Sequence, residues 1–385
     1  MKVGKFSFQL LNEGRGQGRL GKITTPHGAF STPTFMPVGS QGTVKALAPA
    51  DLKEVGTEIL LCNAYHLYLR PGIELIKEVG GLHRFMGWEG PILTDSGGFQ
   101  LVSMSALREI ESEGVRFRSH IDGSLHFLTP EKVVQIQEGL GSDIMMVLDD
   151  CPPYPASTDE ARAAVELTAQ WAKRSKEAKS GDGQALFGIV QGGRYSELRR
   201  QSAHALMEIG FDGYAIGGLS LGEEKGVTFE IAEEVTALLP TDSPRYLMGM
   251  GTAEDILMGV RVGVDMFDCV LPTRSARTGM LFTSFGRLNI KHARYSRDTS
   301  PPDPACSCYT CRNFSRAYLR HLFLSRELLA YRLNAVHNLF YYHSLMRNIR
   351  QALSDGKMDQ FQQDFFSQRE DKGGTSKDEG GEIRC

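Results

Sequence analysis

Short apolar runs recur along the chain, separated by stretches of helical periodicity. The runs are Thr34 to Val38, Glu58 to Asn63, Pro91 to Asp95, Ile144 to Asp150, Ala185 to Gln191, Gly213 to Gly217, Arg245 to Gly249 and Val264 to Asp268. They are nearly continuous in hydrophobicity rather than alternating, the pattern of strands buried on both faces of a parallel sheet. Between them the spacing predicts helices over Glu131 to Leu140, behind Thr129-Pro130, and over Thr158 to Ala178, Ser196 to Ile209 and Ala253 to Val262. Eight strands alternating with helices match an α/β fold of the (β/α)8 TIM-barrel type, which takes roughly 250 residues. An open doubly wound sheet is the alternative.

Two stretches depart from this alternation. Phe6 to Pro33, with alternating apolar residues and glycine-rich turns, reads as an antiparallel hairpin, and Val115 to Leu128 reads as another around Asp122-Gly123. The expected division is an N-terminal β-hairpin over 1–33, a barrel over 34–300 with an insertion at about 99–128, a helical subdomain over 301–367 that holds the Cys306-Ser307-Cys308-Tyr309-Thr310-Cys311 knuckle, and a polar tail over 368–385. The tail has hardly any apolar content and is expected to be disordered. The segment Gly16-Gln17-Gly18-Arg19-Leu20-Gly21 fits a dinucleotide-binding glycine pattern, but it leads into Lys22-Ile23-Thr24-Thr25 rather than a helix and reads as a hairpin turn.

At 385 residues, with 41% hydrophobic and 23% charged content, neither a disulfide-stapled miniature nor a largely disordered chain fits. No apolar run approaches the roughly 20 residues of a membrane-spanning helix, and Met1-Lys-Val-Gly-Lys does not open a signal sequence, so the cytoplasm is the expected location. The net charge of −3 hides an asymmetry, since Arg261 to Arg320 holds ten Lys/Arg against four Asp/Glu. That tract suits an anion-binding face, with an ordinary solvated surface as the plain alternative.

Three of the seven cysteines, Cys306, Cys308 and Cys311, fall within six residues, while Cys62, Cys151, Cys269 and Cys385 are scattered. Three thiolates in one knuckle call for zinc and a fourth ligand. The candidates are His321, His337 and His343. On the helix expected from about Glu327, His337 shares an apolar stripe with Leu329, Leu333, Val336 and Phe340, so it faces inward and is the expected ligand. A zinc with four protein ligands is structural rather than hydrolytic.

Barrel enzymes place their chemistry at the C-terminal ends of strands. Here those ends carry Asn63, Asp95, Asp149, Gln191, Gly217-Gly218, Gly249 and Asp268. Two carboxylates over one pocket, Asp95 and Asp268, can divide the work of nucleophile and proton carrier, as in cleavage of a glycosidic bond through a covalent intermediate. Gly217-Gly218-Leu219-Ser220-Leu221-Gly222-Glu223 either presents backbone N–H groups to a ligand or is simply a tight turn.

Several motifs together resemble the bacterial tRNA-guanine transglycosylases, also called queuine tRNA-ribosyltransferases. They are Phe35-Met36-Pro37-Val38-Gly39, Asn63-Ala64-Tyr65-His66-Leu67, Leu93-Thr94-Asp95-Ser96-Gly97-Gly98, Ser119-His120-Ile121-Asp122-Gly123-Ser124, Gly210-Phe211-Asp212-Gly213-Tyr214-Ala215 and Met266-Phe267-Asp268-Cys269-Val270-Leu271-Pro272-Thr273-Arg274. The resemblance spans Phe6 to about Phe366 and implies a barrel with a zinc-binding insert near its C-terminus. It implies a pentosyltransferase of queuosine biosynthesis. Such an enzyme exchanges the wobble guanine of tRNAs with a G-U-N anticodon, those for aspartate, asparagine, histidine and tyrosine, for a 7-deazaguanine.

By that resemblance Asp268 is the nucleophile and Asp95 the general acid/base. Asp149 reads the guanine N1–H and amine, Gln191 and the Gly218 N–H read the carbonyl oxygen, and Phe99 and Met248 sandwich the purine. Some members have tyrosine where this chain has Phe99. Leu219 offers its carbonyl to the aminomethyl group of the incoming base, with Glu223 steadying that peptide. Leu221, glycine in eukaryotic relatives, and nearby Cys151 favour the smaller 7-aminomethyl-7-deazaguanine over queuine. Arg274 and Arg277 meet anticodon-loop phosphates, one structural Zn2+ sits in each chain, and two chains pair as a homodimer. A retaining glycosidase or nucleoside hydrolase would use the same two acids but leaves the cysteine knuckle and the basic tract unexplained. A catalytically silent RNA-binding subunit would need neither acid.

Overall fold

The computed structural model describes residues 5–14, 18–98 and 108–370. Its centre is an eight-stranded parallel sheet: β4 (Thr34–Pro37), β5 (Leu60–Asn63), β6 (Ile92–Asp95), β10 (Ile144–Met146), β11 (Ala185–Val190), β12 (Gly213–Ile216), β13 (Arg245–Leu247) and β14 (Met266–Cys269). Every residue of these strands except Asp268 is buried, as continuous apolar runs require. From β5 onward each strand pairs with its successor in this series, and β14 returns to β4 with Met266 opposite Thr34. Only the β4–β5 junction lacks a ladder. There a parallel bridge joins Val38 to Leu61, and the Gly39 N–H donates to Leu61 at 2.7 Å. The sheet is therefore a nearly closed barrel and not an open, doubly wound sheet.

The covering helices begin where the sequence supplies caps. Thr129 accepts from Lys132 N ahead of Pro130, Ser157 forms a capping box with Glu160, and Thr252 forms one with Asp255. These start the helices Pro130–Leu140, Thr158–Ala178 and Ala253–Arg261.

Both antiparallel regions gain a third strand. At the N-terminus β1 (Ser7–Gly14), β2 (Gly18–Thr25) and β3 (Gly28–Thr32) form one sheet, because the chain reverses again between Thr25 and Gly28. Gly18 opens β2 and not a helix, while 15–17 of the expected turn lie outside the described residues. This sheet is tied to the N-terminal end of the barrel: the buried Arg19 donates to Asp265 at 3.0 Å, just ahead of β14, and to the Ser243 carbonyl at 2.9 Å. The insertion holds β7 (Arg108–Glu111), β8 (Gly114–Arg118) and β9 (Leu125–Leu128), again antiparallel.

After β14 the chain forms the helix Leu271–Thr278, then the hairpin β15 (Met280–Thr283) and β16 (Gly286–Asn289), and short helices leading to the long helix Leu328–Ser354. That helix sutures the later elements to the barrel. Asn338 donates to the carbonyls of Pro272 and Met280 and accepts from Phe282 N, and Asn334 donates to the Ala276 carbonyl. Farther along, Tyr342 donates to Gly251 at 2.6 Å and Arg350 to Pro33 at 2.9 Å. The last helix, Met358–Glu370, runs into the stretch expected to begin the tail; 371–385 lie outside the described residues.

Candidate active site

The C-terminal mouth of the barrel holds a cavity of about 340 Å3. Of the residues singled out from the sequence, Asp95, Asp149, Gln191, Gly218, Leu219, Met248, Asp268 and Arg274 all line it, together with Cys151 and Leu221. Glu223 and Arg277 are not among its lining residues, and Phe99 lies outside the described residues.

Asp95 ends β6 directly opposite Asn63 on β5. The Asn63 amide donates to its Oδ2, and the Ala64 N–H donates to Oδ1 at 3.1 Å. The turn that follows demands glycine twice. Gly97 has φ +83°, and a Cβ there would lie 2.7 Å from that of Tyr65; a Cβ on Gly98 would lie 2.6 Å from Asp149 Oδ1.

Asp268 comes from β14, on the other side of β4 and β5. The Tyr246 hydroxyl donates to its Oδ1 at 2.6 Å and the Gly249 N–H donates to the same oxygen at 2.8 Å. Burial raises the Asp268 carboxyl above the ordinary carboxylate range, and these two donors partly counter it. The Tyr246 hydroxyl is pushed well above its usual value by burial first and then by the charges of both Asp268 and Asp95, so the two acids bear on one phenol.

Asp149 lies beyond the end of β10, where the chain has left the sheet. It accepts from the Gln191 amide at 2.6 Å, and burial lifts its pKa to about 6 against the lowering effect of that bond. Gly217 and Gly218 make room for Gln191: a Cβ on Gly217 would lie 2.8 Å from Gln191 Nε2, and one on Gly218, at φ +64°, would collide with Oε1. Glu223 accepts N–H groups from Ser220, from Leu221 at 3.0 Å and from Gly222 at 3.2 Å, as well as the Thr228 hydroxyl at 2.8 Å. These donors hold its pKa below the usual value although burial opposes them. Arg277 donates to the Thr273 carbonyl at 3.0 Å, and burial with the neighbouring charge of Arg274 lowers its pKa.

The second centre gathers Cys306, Cys308, Cys311 and His337. Their ligand atoms lie within 4.8 Å of one another, with the three sulfurs 3.8, 3.6 and 3.2 Å from His337 Nδ1. Tetrahedral zinc with one nitrogen and three sulfur ligands has N–S edges of roughly 3.6 Å, so the set fits a zinc ion. The Nε2–H of His337 donates to the Phe282 carbonyl at 2.8 Å, which leaves Nδ1 as the metal ligand. The other two histidines lie elsewhere: His343 bonds the Thr57 hydroxyl at 2.9 Å, and His321 is exposed.

Sequence reasoning did not single out Tyr246 or Arg199. Tyr246 stands two residues before Met248 and therefore shares its side of the extended run Arg245 to Gly249, a period-2 signal present in the sequence. Arg199 falls on the buried stripe of its helix with Ser202, Ala203 and Leu206, where a charge is out of place and so conspicuous.

Comparison with known proteins agrees with this geometry. The family model described as queuine tRNA-ribosyltransferase matches residues 14–371. A queuine tRNA-ribosyltransferase of Solidesulfovibrio magneticus is 58% identical over 349 residues, covering 90% of this chain and 94% of that protein. One from Caldanaerobacter subterraneus subsp. tengcongensis is 57% identical over 361 residues (93% and 96%), and one from Halothermothrix orenii is 55% identical over 361 residues (94% and 97%). With a barrel whose mouth gathers both acids, a Cys3His cluster behind it and such likeness along nearly its whole length, this chain belongs to the queuine tRNA-ribosyltransferase family, whose members are pentosyltransferases of tRNA modification.

Proposed function

We propose that the protein exchanges the wobble guanine of tRNAs with a G-U-N anticodon for 7-aminomethyl-7-deazaguanine through a covalent aspartyl-ribosyl intermediate. The observation that carries this reading is the presence of two differently held carboxylates, Asp95 and Asp268, in one cavity.

Both donors to Asp268 engage Oδ1, so Oδ2 is the oxygen that attacks the ribose anomeric carbon. As the Oδ2–C1′ bond forms, the C1′–N9 bond breaks. Positive charge builds on the ribose, which the carboxylate stabilises, and the departing guanine takes up a proton that Asp95 delivers. In the second half the incoming base gives its N9 proton to Asp95 and attacks C1′, and Asp268 leaves as carboxylate. Two displacements retain configuration, and no bond of the RNA backbone is cut.

The base is read from its edges. Asp149 accepts from N1–H and the exocyclic amine, while the Gln191 amide and the Gly218 N–H donate to the carbonyl oxygen. Met248 forms one face of the sandwich and Phe99 the other. The Leu219 carbonyl takes the aminomethyl group, and Leu221 with Cys151 leaves no room for the larger substituent of queuine. Arg274 at the cavity rim and Arg277 behind it meet phosphates of the anticodon loop, from which a single-stranded nucleotide is readily turned into the pocket. The Cys3His centre would hold one Zn2+, which supplies folding energy and no chemistry at the ribose. The enzyme works in the cytoplasm as a homodimer.

Incubation with labelled guanine and unmodified G-U-N tRNA tests this. Label enters the RNA with the native protein and not with Asp268→Asn. Release of free guanine from tRNA without incorporation of label would replace the reading with hydrolysis.

A further inference from the structure

Arg199 takes no part in the steps above, yet it is completely buried directly beneath the base-reading loops. Its Nε donates to the Gly193 carbonyl at 2.9 Å, Nη1 to Val190 at 2.8 Å and Gly217 at 2.7 Å, and Nη2 to Gly218 at 3.3 Å. All four partners are neutral carbonyls, and among the described residues no carboxylate comes within ion-pairing distance. A guanidinium buried without a counter-ion is costly unless its geometry is well satisfied, and a leucine would fill this helix stripe at no such cost. The Val190 carbonyl ends β11 and the other three lie in the loops after β11 and β12, which carry Gln191 and Gly218.

Peptide planarity links these bonds to the cavity. In a trans peptide the C=O and the following N–H point in opposite directions. Arg199 draws the Gly217 carbonyl down, so the Gly218 N–H is turned up; among the described residues it meets no protein acceptor. The positive charge behind that amide also strengthens it as a donor. Two peptides later Glu223 takes the Ser220 N–H and turns the Leu219 carbonyl the same way. A cation and an anion behind one loop thus present a donor and then an acceptor to the ligand. The Gln191 side chain packs against this loop, with its Oε1 buried beside Gly218.

We propose that Arg199 is a positioning residue that aims the Gly218 N–H at the 6-oxygen of the purine and so helps decide which bases the cavity accepts. The inference rests on the base-reading assignment proposed above. Inhibition constants against guanine, hypoxanthine and 2-aminopurine separate the two. Hypoxanthine keeps the 6-oxygen and lacks the amine; 2-aminopurine keeps the amine and lacks the oxygen, and with it the N1 proton.

In Arg199→Met, binding of guanine and hypoxanthine weakens by tenfold or more, binding of 2-aminopurine by less than twofold, and tRNA affinity holds. Arg199→Lys keeps a buried cation that reaches fewer carbonyls, so it falls between native and Met, and it carries the test if the Met variant does not fold. Equal losses for all three bases would mean general collapse of the pocket, and an unchanged guanine constant would mean no role; either overturns the proposal. A native protein that binds 2-aminopurine as tightly as guanine would instead overturn the base-reading assignment, and the inference with it.

Discussion

Asp149 sits where a carboxylate is uncomfortable: burial outweighs the hydrogen bonds from Gln191, its own backbone and Ser96, and the charge of Asp150 adds to the strain. A base with N–H groups along one edge relieves that discomfort only when Asp149 is ionised. Its raised pKa of about 6 fixes the direction of the effect. Above that pH the carboxylate accepts; below it the added proton removes the acceptor. The dissociation constant for guanine is therefore expected to stay level from pH 8 to 7 and to rise about tenfold per unit below pH 6. Asp149→Asn should bind weakly at every pH, with a flat profile. Calorimetric titration across this range checks it, and a native constant unchanged between pH 7 and 5 would refute the role. Asp149 was visible in the sequence as the polar end of an apolar run. Its pairing with Gln191, 42 residues away, was not, because that contact depends on how adjacent strands lie in the barrel.

At the scale of elements, the barrel was legible because a strand buried on both faces leaves an uninterrupted apolar run. The same rule set a limit. Ile144 to Asp150 reads as one strand, yet β10 stops at Met146; the Val147 N–H makes one more bond to the Phe187 carbonyl at 3.1 Å, and Leu148 and Asp149 stay buried beyond the ladder. Likewise β3 and β7 were missed because short strands look like turn and loop until a neighbour pairs with them. The link between the Cys3His cluster and the active site belongs to this scale too. His337 bonds Phe282 on β15, while Asn338 next to it and Asn334 about one turn earlier hold the helix Leu271–Thr278, which bears Arg274 and Arg277. Asp268, by contrast, is held by donors from β13 and the loop after it. Removing zinc, by chelation or by Cys311→Ser, should lower the melting temperature and weaken tRNA binding by tenfold or more while guanine affinity changes less than threefold. Thermal unfolding and the two binding constants measured on one sample check this; parallel loss of both affinities would show that the metal supports the whole barrel instead.

An anionic protein that handles a polyanion must concentrate its positive charge where the polyanion arrives. The chain carries 43 Lys/Arg against 46 Asp/Glu, so its net charge alone argues against RNA. The ten Lys/Arg and four Asp/Glu of Arg261 to Arg320 reverse that argument locally, and the tract runs through the cavity: Arg274 lines it six residues after Asp268. The acidic remainder of the molecule repels phosphate and favours docking by the basic side. Affinity for tRNA should therefore fall steeply with salt, through release of counterions from each phosphate contacted. Arg277 is half-committed to its own helix through Thr273, and its guanidinium is destabilised by Arg274, a cost that an incoming phosphate relieves. Arg277→Ala is expected to weaken tRNA binding and to reduce the slope of log Kd against log salt by about 0.7, the share of one single-stranded phosphate. Guanine binding should be untouched, since Arg277 does not line the cavity. Filter binding of unmodified tRNA from 50 to about 200 mM salt, the range in which such contacts dominate, decides it: a variant with the native slope would move the phosphate site elsewhere on the basic tract.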